Sequence, residues 1–198
     1  CLMLAPLADA EALVGTASGQ AASRHPGIDA ASASAVRAAL RRQQADADRK
    51  AAFRRVRTRA ARLLALERSR VERWAAPLGG FESLAPGLAR SMRRTRRAMA
   101  RADSCRRQEA FHTWRRRVKD LWFQVRLVEG CCPHRLLPMR RRLERLDGLL
   151  GDYHNIVLLE AFLREGSCLA REDTARCLRN LRQRRTRLGH RALALGTV

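Results

Sequence analysis

The chain has 198 residues, and its 41 basic and 19 acidic residues leave a formal net charge of +22 at pH 7. All basic residues except Lys50 and Lys119 are arginines, whose planar fork matches phosphate oxygens, so the expected partner is a polyanion. No apolar run approaches the ~20 residues that cross a bilayer, so no membrane partner is expected.

Composition also predicts the fold class. Only 5% of the residues are aromatic, so the core must be mainly Leu, Ala and Val, and strand patterns are nearly absent. We therefore expect an all-α protein built from antiparallel helical bundles. The six cysteines have no repeating spacing, so we expect reduced thiols and a cytoplasmic protein.

The first part of the chain is predicted to be a linker followed by a long helical region. Residues 1–14 are typical of the end of a helix, and residues 15–27 form a linker of small residues. A helical region then runs from about residue 30 to residue 74, as one helix or two, before Pro77, Gly79 and Gly80 break it. One side of its second part is apolar and the other is rich in arginine; the apolar residues are Phe53, Val56, Ala60, Leu63, Val71 and Trp74.

Helix start and stop signals then divide the rest of the chain. Pro86 is expected in the first turn of the next helix, and Asp103 or Ser104 is expected to cap the helix after it. Gly130 and Pro133 end that helix.

A further helix is predicted from about residue 134 to residue 150. We expect it to stop at Gly151 and Asp152 to cap the next helix, so that His154 lies in a first turn, where unpaired N–H groups suit an anionic oxygen. The last helix is predicted from about residue 167 to residue 194.

Residues 111–129 are predicted to form one helix with two distinct sides. The apolar side recurs at three- and four-residue steps and contains Phe111, Trp114, Val118, Leu121, Val125 and Val128. The basic side contains His112, Arg115, Arg116, Lys119 and Arg126. Only Asp120 and Glu129 offset this charge, so the basic side needs an anion from elsewhere. We interpret Trp114 and Trp122 as core residues rather than base-stacking platforms.

The segments FHTWRRRVKDLWFQVRL and LLGDYHNIVLL, with PGLARSMRRTRRAM before them, resemble the second half of a CHAD domain, the conserved-histidine α-helical domain. The resemblance is strongest over residues 84–163. It implies two pseudo-symmetric antiparallel helical bundles around a basic groove that binds inorganic polyphosphate. It also implies that a triphosphate-tunnel (CYTH) domain is a possible neighbour.

The family's motifs imply which residues bind polyphosphate. Its His-x-x-Arg-Lys/Arg-x-x-Lys pattern falls on His112, Arg115, Arg116 and Lys119. The histidine of its Leu-Gly-x-x-His-Asp pattern falls on His154. Its arginines on the preceding helix fall on Arg90, Arg93, Arg94 and Arg97. We add Arg126, from the same basic side, and Arg141 to the predicted polyphosphate-binding residues. Arg141 belongs to the run Arg140, Arg141 and Arg142, of which at least one must point away from a shared groove. Asn155 and Met92 replace the family's usual Asp and Tyr.

The equivalent motif of the family's first bundle is missing from this sequence. We therefore expect a fragment, in which residues 1–29 are a remnant of the first bundle with a linker and residues 30–198 are the second bundle.

The sequence is compatible with three classes of function: a polyphosphate-binding module, a sequence-independent nucleic-acid binder, and an enzyme acting on phosphate chains. The first is favoured, because no nucleic-acid motif is present and the acids Asp120, Glu144 and Asp152 are scattered. We expect no catalytic residue and no cofactor. Cys131, Cys132 and His134 lack zinc-site spacing, so no metal is expected. The tail arginines at 182, 184, 185, 187 and 191 are interpreted chiefly as a solvated face.

Overall fold

The computed structural model describes residues 30–49, 51–72, 81–165 and 169–197. They form six α-helices: α1 (Ala30–Arg49), α2 (Ala51–Glu72), α3 (Phe81–Cys105), α4 (Gln108–Val128), α5 (Pro133–Glu165) and α6 (Arg171–Gly196). A 3-10 turn, Glu129–Cys131, follows α4. No strand occurs in these ranges, which confirms the all-α prediction. The predictions for residues 1–29 and for the break at Pro77, Gly79 and Gly80 lie outside the described residues.

The chain divides into two compact units. The first contains Cys1–Pro77 and Leu158–Leu181, and the second contains Leu78–Val157 and Arg182–Val198. Helices α5 and α6 therefore contribute residues to both units.

In the first unit, α1 and α2 differ in what they bury. Val36 and Leu40 of α1 are buried, as expected for side chains four residues apart on one face. By contrast, Leu63 of α2 is 53% exposed, and Leu64 and Leu66 are exposed as well. Periodicity shows which side chains share a helix face, but another element must cover that face before it becomes core. The predicted Phe53, Val71 and Trp74 side chains lie outside the described part.

In the second unit, five of the six residues predicted on the apolar side of α4 form the centre of the core, whereas Val128 is half-buried. Trp114, Val118 and Val125 have no exposed surface, and Phe111 and Leu121 are nearly inaccessible. Each such side chain contributes roughly 1.5–3 kcal/mol when it is fully buried. The partner side chains from α5 and α6 include Leu146, Leu150, Tyr153, Ile156, Leu188 and Leu193.

A left-handed residue separates α3 from α4. Arg106 has φ 51°, and its N–H donates to the Ala102 carbonyl at 3.1 Å, which ends α3. The prediction that Asp103 or Ser104 caps α4 is wrong, because both belong to α3 and Arg107 precedes α4 with no side-chain capping bond. The carboxylate of Asp103 instead accepts a hydrogen bond from Arg106 Nη2. Pro86 lies inside α3 rather than in its first turn, because α3 begins at Phe81.

Helix α5 is continuous, and the predictions of a stop at Gly151 and a cap at Asp152 are therefore wrong. Its 33 residues pass through Gly148 and Gly151 without a break. A glycine costs about 1 kcal/mol relative to alanine inside a helix, and burial of the flanking Leu150 and Tyr153 offsets that cost. His154 consequently lies in the middle of a helix, where no unpaired backbone N–H is present.

The end of α6 is held tightly against the core of the second unit. A Cβ atom at Gly196 would lie 2.5 Å from Met99 Sδ and 2.9 Å from Trp114 Cζ2, so a larger residue there would force these side chains to shift. Arg142 donates from Nε to the Leu195 carbonyl at 3.1 Å, and a second bond from Nη2 reaches the same oxygen. This guanidinium satisfies a carbonyl that the helix end leaves unpaired.

Candidate polyanion-binding site

The basic side of α4 lies next to its buried side and faces outward. His112, Arg116 and Arg126 are exposed, whereas Arg115 and Lys119 are half-buried. We call these five residues the basic face of α4. The structure confirms the predicted division of this helix, since none of the five belongs to the core.

Two histidines meet where α4 and α5 cross. The helices run antiparallel, because Phe111 stacks on Tyr153 with ring centroids 4.4 Å apart near the start of α4, and Glu129 after its end pairs with Arg140. His112 and His154 each follow one of the stacked rings. Their own rings come within 5.0 Å, centroid to centroid. Packing of two buried aromatic rings thus positions the two imidazoles.

Arg115 lies beside this histidine pair, against the bare backbone of Gly151. A Cβ atom at Gly151 would be 3.9 Å from both Nε and Nη2 of Arg115, so the guanidinium lies along the surface that the missing side chain leaves open. Arg115 Nε is buried and has no hydrogen-bond partner among the described residues. A buried unsatisfied donor is costly, and an anion that accepts its hydrogen bond removes that cost. Sequence reasoning missed this role of Gly151, although an isolated glycine within an apolar helical pattern was an available signal.

Arg126 is positioned by an aromatic ring. Its guanidinium carbon lies 5.4 Å from the centroid of Trp122, a cation–π arrangement. Trp122 is half-buried and also contacts Phe123 edge-on at 4.8 Å. Trp114 is fully buried, which confirms its predicted place in the core.

Two of the α3 arginines line a groove that does not include the histidine pair. Arg90 and Arg94 line a groove between α3 and the C-terminal half of α4, together with Gln124 and Leu127. Arg93 and Arg97, also on α3, are exposed. The lining of the α3–α4 groove includes no acidic residue.

The run Arg140–Arg141–Arg142 divides into three different environments. Arg140 pairs with Glu129 at 2.7 Å and with Glu144 at 3.2 Å, and Arg142 holds the end of α6. Arg141 is exposed but lies roughly 140° around α5 from His154, at about 100° per residue. The structure therefore does not bring Arg141 into the histidine cluster.

One acid that sequence reasoning missed lies on the same side of α5 as His154. Asp147 is two helical turns before His154, is half-buried, and has an Oδ1 atom that is buried without a hydrogen-bond partner in the described part of the chain. No group of three or more His, Cys, Asp or Glu side chains in the described ranges could hold a metal ion. In the same ranges no helix is long and apolar enough to cross a membrane.

A family model for the CHAD domain matches residues 3–164, which is most of the chain. The chain belongs to the CHAD-domain family. The match and the helical architecture confirm the resemblance that the motifs of α4 and α5 indicated. CHAD domains are helical binding modules, and as a family they bind polyphosphate-type ligands. No match to the chain was found among curated proteins or among solved structures.

Proposed function

We propose that this CHAD domain binds inorganic polyphosphate along the basic face of α4, with His154 at one edge. The observation that supports the proposal best is the cluster of His112, Arg115 and His154. It places two imidazoles 5.0 Å apart beside a guanidinium whose buried Nε has no partner in the described chain. Arg115 is only half-buried, and a shift of its guanidinium towards a bound phosphate would satisfy that donor.

The length of the basic face suits a linear polyanion. From His112 to Arg126 the helix rises roughly 21 Å, at 1.5 Å per residue. Several phosphate units, each with about one negative charge, would follow this face and release their counterions as they bind. Arginine forks would hold the phosphate oxygens in pairs, whereas Lys119 would act as a single charge.

The arginines of α3 extend the proposed surface on the other side of α4. Arg90, Arg94 and Arg97 follow one another at four- and three-residue steps, so they share one side of α3. They would attract the phosphate chain by charge rather than through a preformed cluster. We therefore expect each of them to contribute less to affinity than Arg115 does.

The histidine pair makes the proposed binding sensitive to pH. An imidazole ordinarily has a pKa near 6.5, and protonation adds both a positive charge and a donor. Two protonated imidazoles this close repel each other, and a phosphate chain that contacts both of them offsets that repulsion. Affinity should therefore increase as the pH falls from 8 to 6.

A competition experiment tests the choice of partner. Long-chain polyphosphate and duplex DNA are titrated against the protein at one fixed salt concentration, and affinities are compared per phosphate. Polyphosphate should win, because a flexible single chain follows one helix face more closely than a rigid duplex does. Equal competition would favour the nucleic-acid hypothesis. Salt dependence alone does not discriminate, since both partners release counterions.

A charge-matched pair of variants tests the location of the site. Arg115, Arg116 and Lys119 are replaced by Gln in one variant, and Arg182, Arg184 and Arg187 of α6 are replaced by Gln in the other. Both lose three charges and keep helix propensity nearly constant. The first variant should lose most of its polyphosphate affinity and the second only a small part. An equal loss in both variants would show that binding is diffuse charge attraction.

A further inference from the structure

A cavity lies on a different side of the second unit, where the start of α4, the middle of α5 and residues 185–190 of α6 meet. We call it the α6 cavity. Its volume is about 380 Å³, which falls in the range of ~300–1,000 Å³ usual for small-molecule sites. None of the basic-face residues of α4 lines it. It is therefore distinct from the surface proposed for the phosphate chain.

The base of the α6 cavity is apolar and rigid. It consists of the stacked rings of Phe111 and Tyr153, which are 3% and 6% exposed and only 18° from parallel. Gly189 of α6 packs directly on the two rings: a Cβ atom there would lie 3.4 Å from Phe111 Cζ and 3.5 Å from Tyr153 Cε2. The close approach of α6 holds the rings in place, and both residues remain part of the cavity lining.

The rim of the α6 cavity is cationic. Arg106, Arg185 and His190 line it, and its lining includes no acidic residue. The carboxylate of Asp103 accepts a hydrogen bond from Arg106 Nη2, and Arg106 Nε donates to the Asp103 carbonyl at 2.7 Å. Both partners of this ion pair are half-exposed, with 51% of each side chain accessible, so the pair orients the guanidinium more than it neutralises it.

An apolar base below a cationic rim selects a ligand that carries both kinds of group. An inorganic phosphate chain would contact the arginines but would gain nothing from the apolar base. A purely apolar ligand would cover the rings but also remove charged rim groups from water, which is unfavourable. A phosphate ester with an apolar or planar group can contact both the cationic rim and the apolar base.

We propose that the α6 cavity binds a small organic phosphate of nucleoside-phosphate size. The phosphate lies at Arg106 and Arg185, and the apolar part lies against the stacked rings of Phe111 and Tyr153. This site does not depend on polyphosphate binding at the basic face of α4.

Calorimetric titration with two probes tests the proposed ligand class. ADP and inorganic pyrophosphate share a diphosphate group, but only ADP has a nucleoside. At 150 mM salt, ADP should bind at least about tenfold more tightly than pyrophosphate. A tenfold difference in affinity requires the burial of only about 55 Å² of apolar surface at ~25 cal/mol per Å². Equal affinity for the two probes would show that the apolar base contributes nothing and would overturn the proposal.

Three variants on α6 test the location of the site. Arg185→Gln removes a rim charge and Arg187→Gln removes an exposed charge outside the cavity, so they form a matched pair. Thr186→Trp blocks the cavity from an exposed position whose hydroxyl bonds only within α6, to the Arg182 carbonyl. Thermal melting monitored by circular dichroism verifies that each variant is folded.

Arg185→Gln should weaken ADP binding by about tenfold, as expected for a charge-assisted hydrogen bond, and Arg187→Gln by less than about twofold. Thr186→Trp should abolish ADP binding and leave polyphosphate affinity within about twofold. The inference is wrong if the two arginine variants lose ADP affinity equally, or if Thr186→Trp still binds ADP.

Discussion

Replacing Arg115 by Gln separates the preformed cluster from general charge attraction, because Arg116 beside it provides a matched control. Each change removes one charge from the same turn of α4, and both keep helix propensity nearly constant. The two guanidinium groups differ in their surroundings. Arg115 is half-buried against Gly151 with an unsatisfied Nε, whereas Arg116 is exposed.

The structure predicts a large difference between these two variants in polyphosphate affinity. A hydrogen bond to a charged group is worth roughly 1.5–3 kcal/mol when its partners are desolvated, which corresponds to about a 10- to 150-fold increase in Kd for Arg115→Gln. An exposed ion pair is worth about 0–1 kcal/mol, so Arg116→Gln should raise Kd by no more than about fivefold. Calorimetric titration at a fixed salt concentration measures both changes.

Protein stability without ligand gives an independent check on Arg115. Because its buried Nε has no partner in the described chain, Arg115→Gln should leave the free energy of unfolding unchanged or slightly increased. A residue with a purely structural role would instead destabilise the protein when replaced. The reasoning is refuted if urea unfolding shows that Arg115→Gln lowers the free energy of unfolding by more than about 1 kcal/mol, a loss that is usual for single substitutions. Equal changes in Kd for the two variants would refute it as well.

The position of Arg115 can also be tested from α5, by changing Gly151. Gly151→Ala should preserve binding, since the added Cβ would lie in ordinary contact 3.9 Å from Arg115. Gly151→Leu should displace the guanidinium and weaken polyphosphate binding as much as Arg115→Gln does. If Gly151→Leu binds like the native chain, the position of Arg115 beside Gly151 does not matter for affinity.

Two further predictions concern the histidine pair and the glycines. Changing His112 and His154 together to Gln should weaken binding modestly at pH 8 and remove most of the increase in affinity between pH 8 and 6, measured by titration at each pH; an intact pH response would mean that other groups carry it. Gly196→Ala should lower the free energy of unfolding by about 1–3 kcal/mol, because its Cβ would lie 2.9 Å from Cζ2 of the fully buried Trp114 ring. Gly148→Ala, where nothing lies within 4 Å of the new Cβ, should instead raise it by about 0.5–1 kcal/mol in the same urea experiment. Equal effects of the two alanines would contradict the packing argument.

Some features of the site follow from the order of residues alone. The buried and basic sides of α4 are adjacent in the structure because Trp114 and Val118 recur at the helical period on one side, and His112 and Arg115 recur at the same period beside them. The all-α class and the CHAD family are likewise local properties, carried by composition and by two short motifs. Such features need no knowledge of which helix packs against which.

Other features depended on partners that are distant in sequence. Gly151 looked like a helix stop, but burial of the residues around it keeps α5 continuous. Arg140, Arg141 and Arg142 are consecutive arginines with three different environments. Arg140 forms an ion pair, Arg141 is exposed to solvent, and Arg142 binds the end of α6. Leu63 of α2 has the spacing of a core residue, but its side chain is 53% exposed. Periodicity and capping rules describe one helix at a time, whereas the contact between Arg115 and Gly151 and the pairing of His112 with His154 exist only because two helices pack in one register.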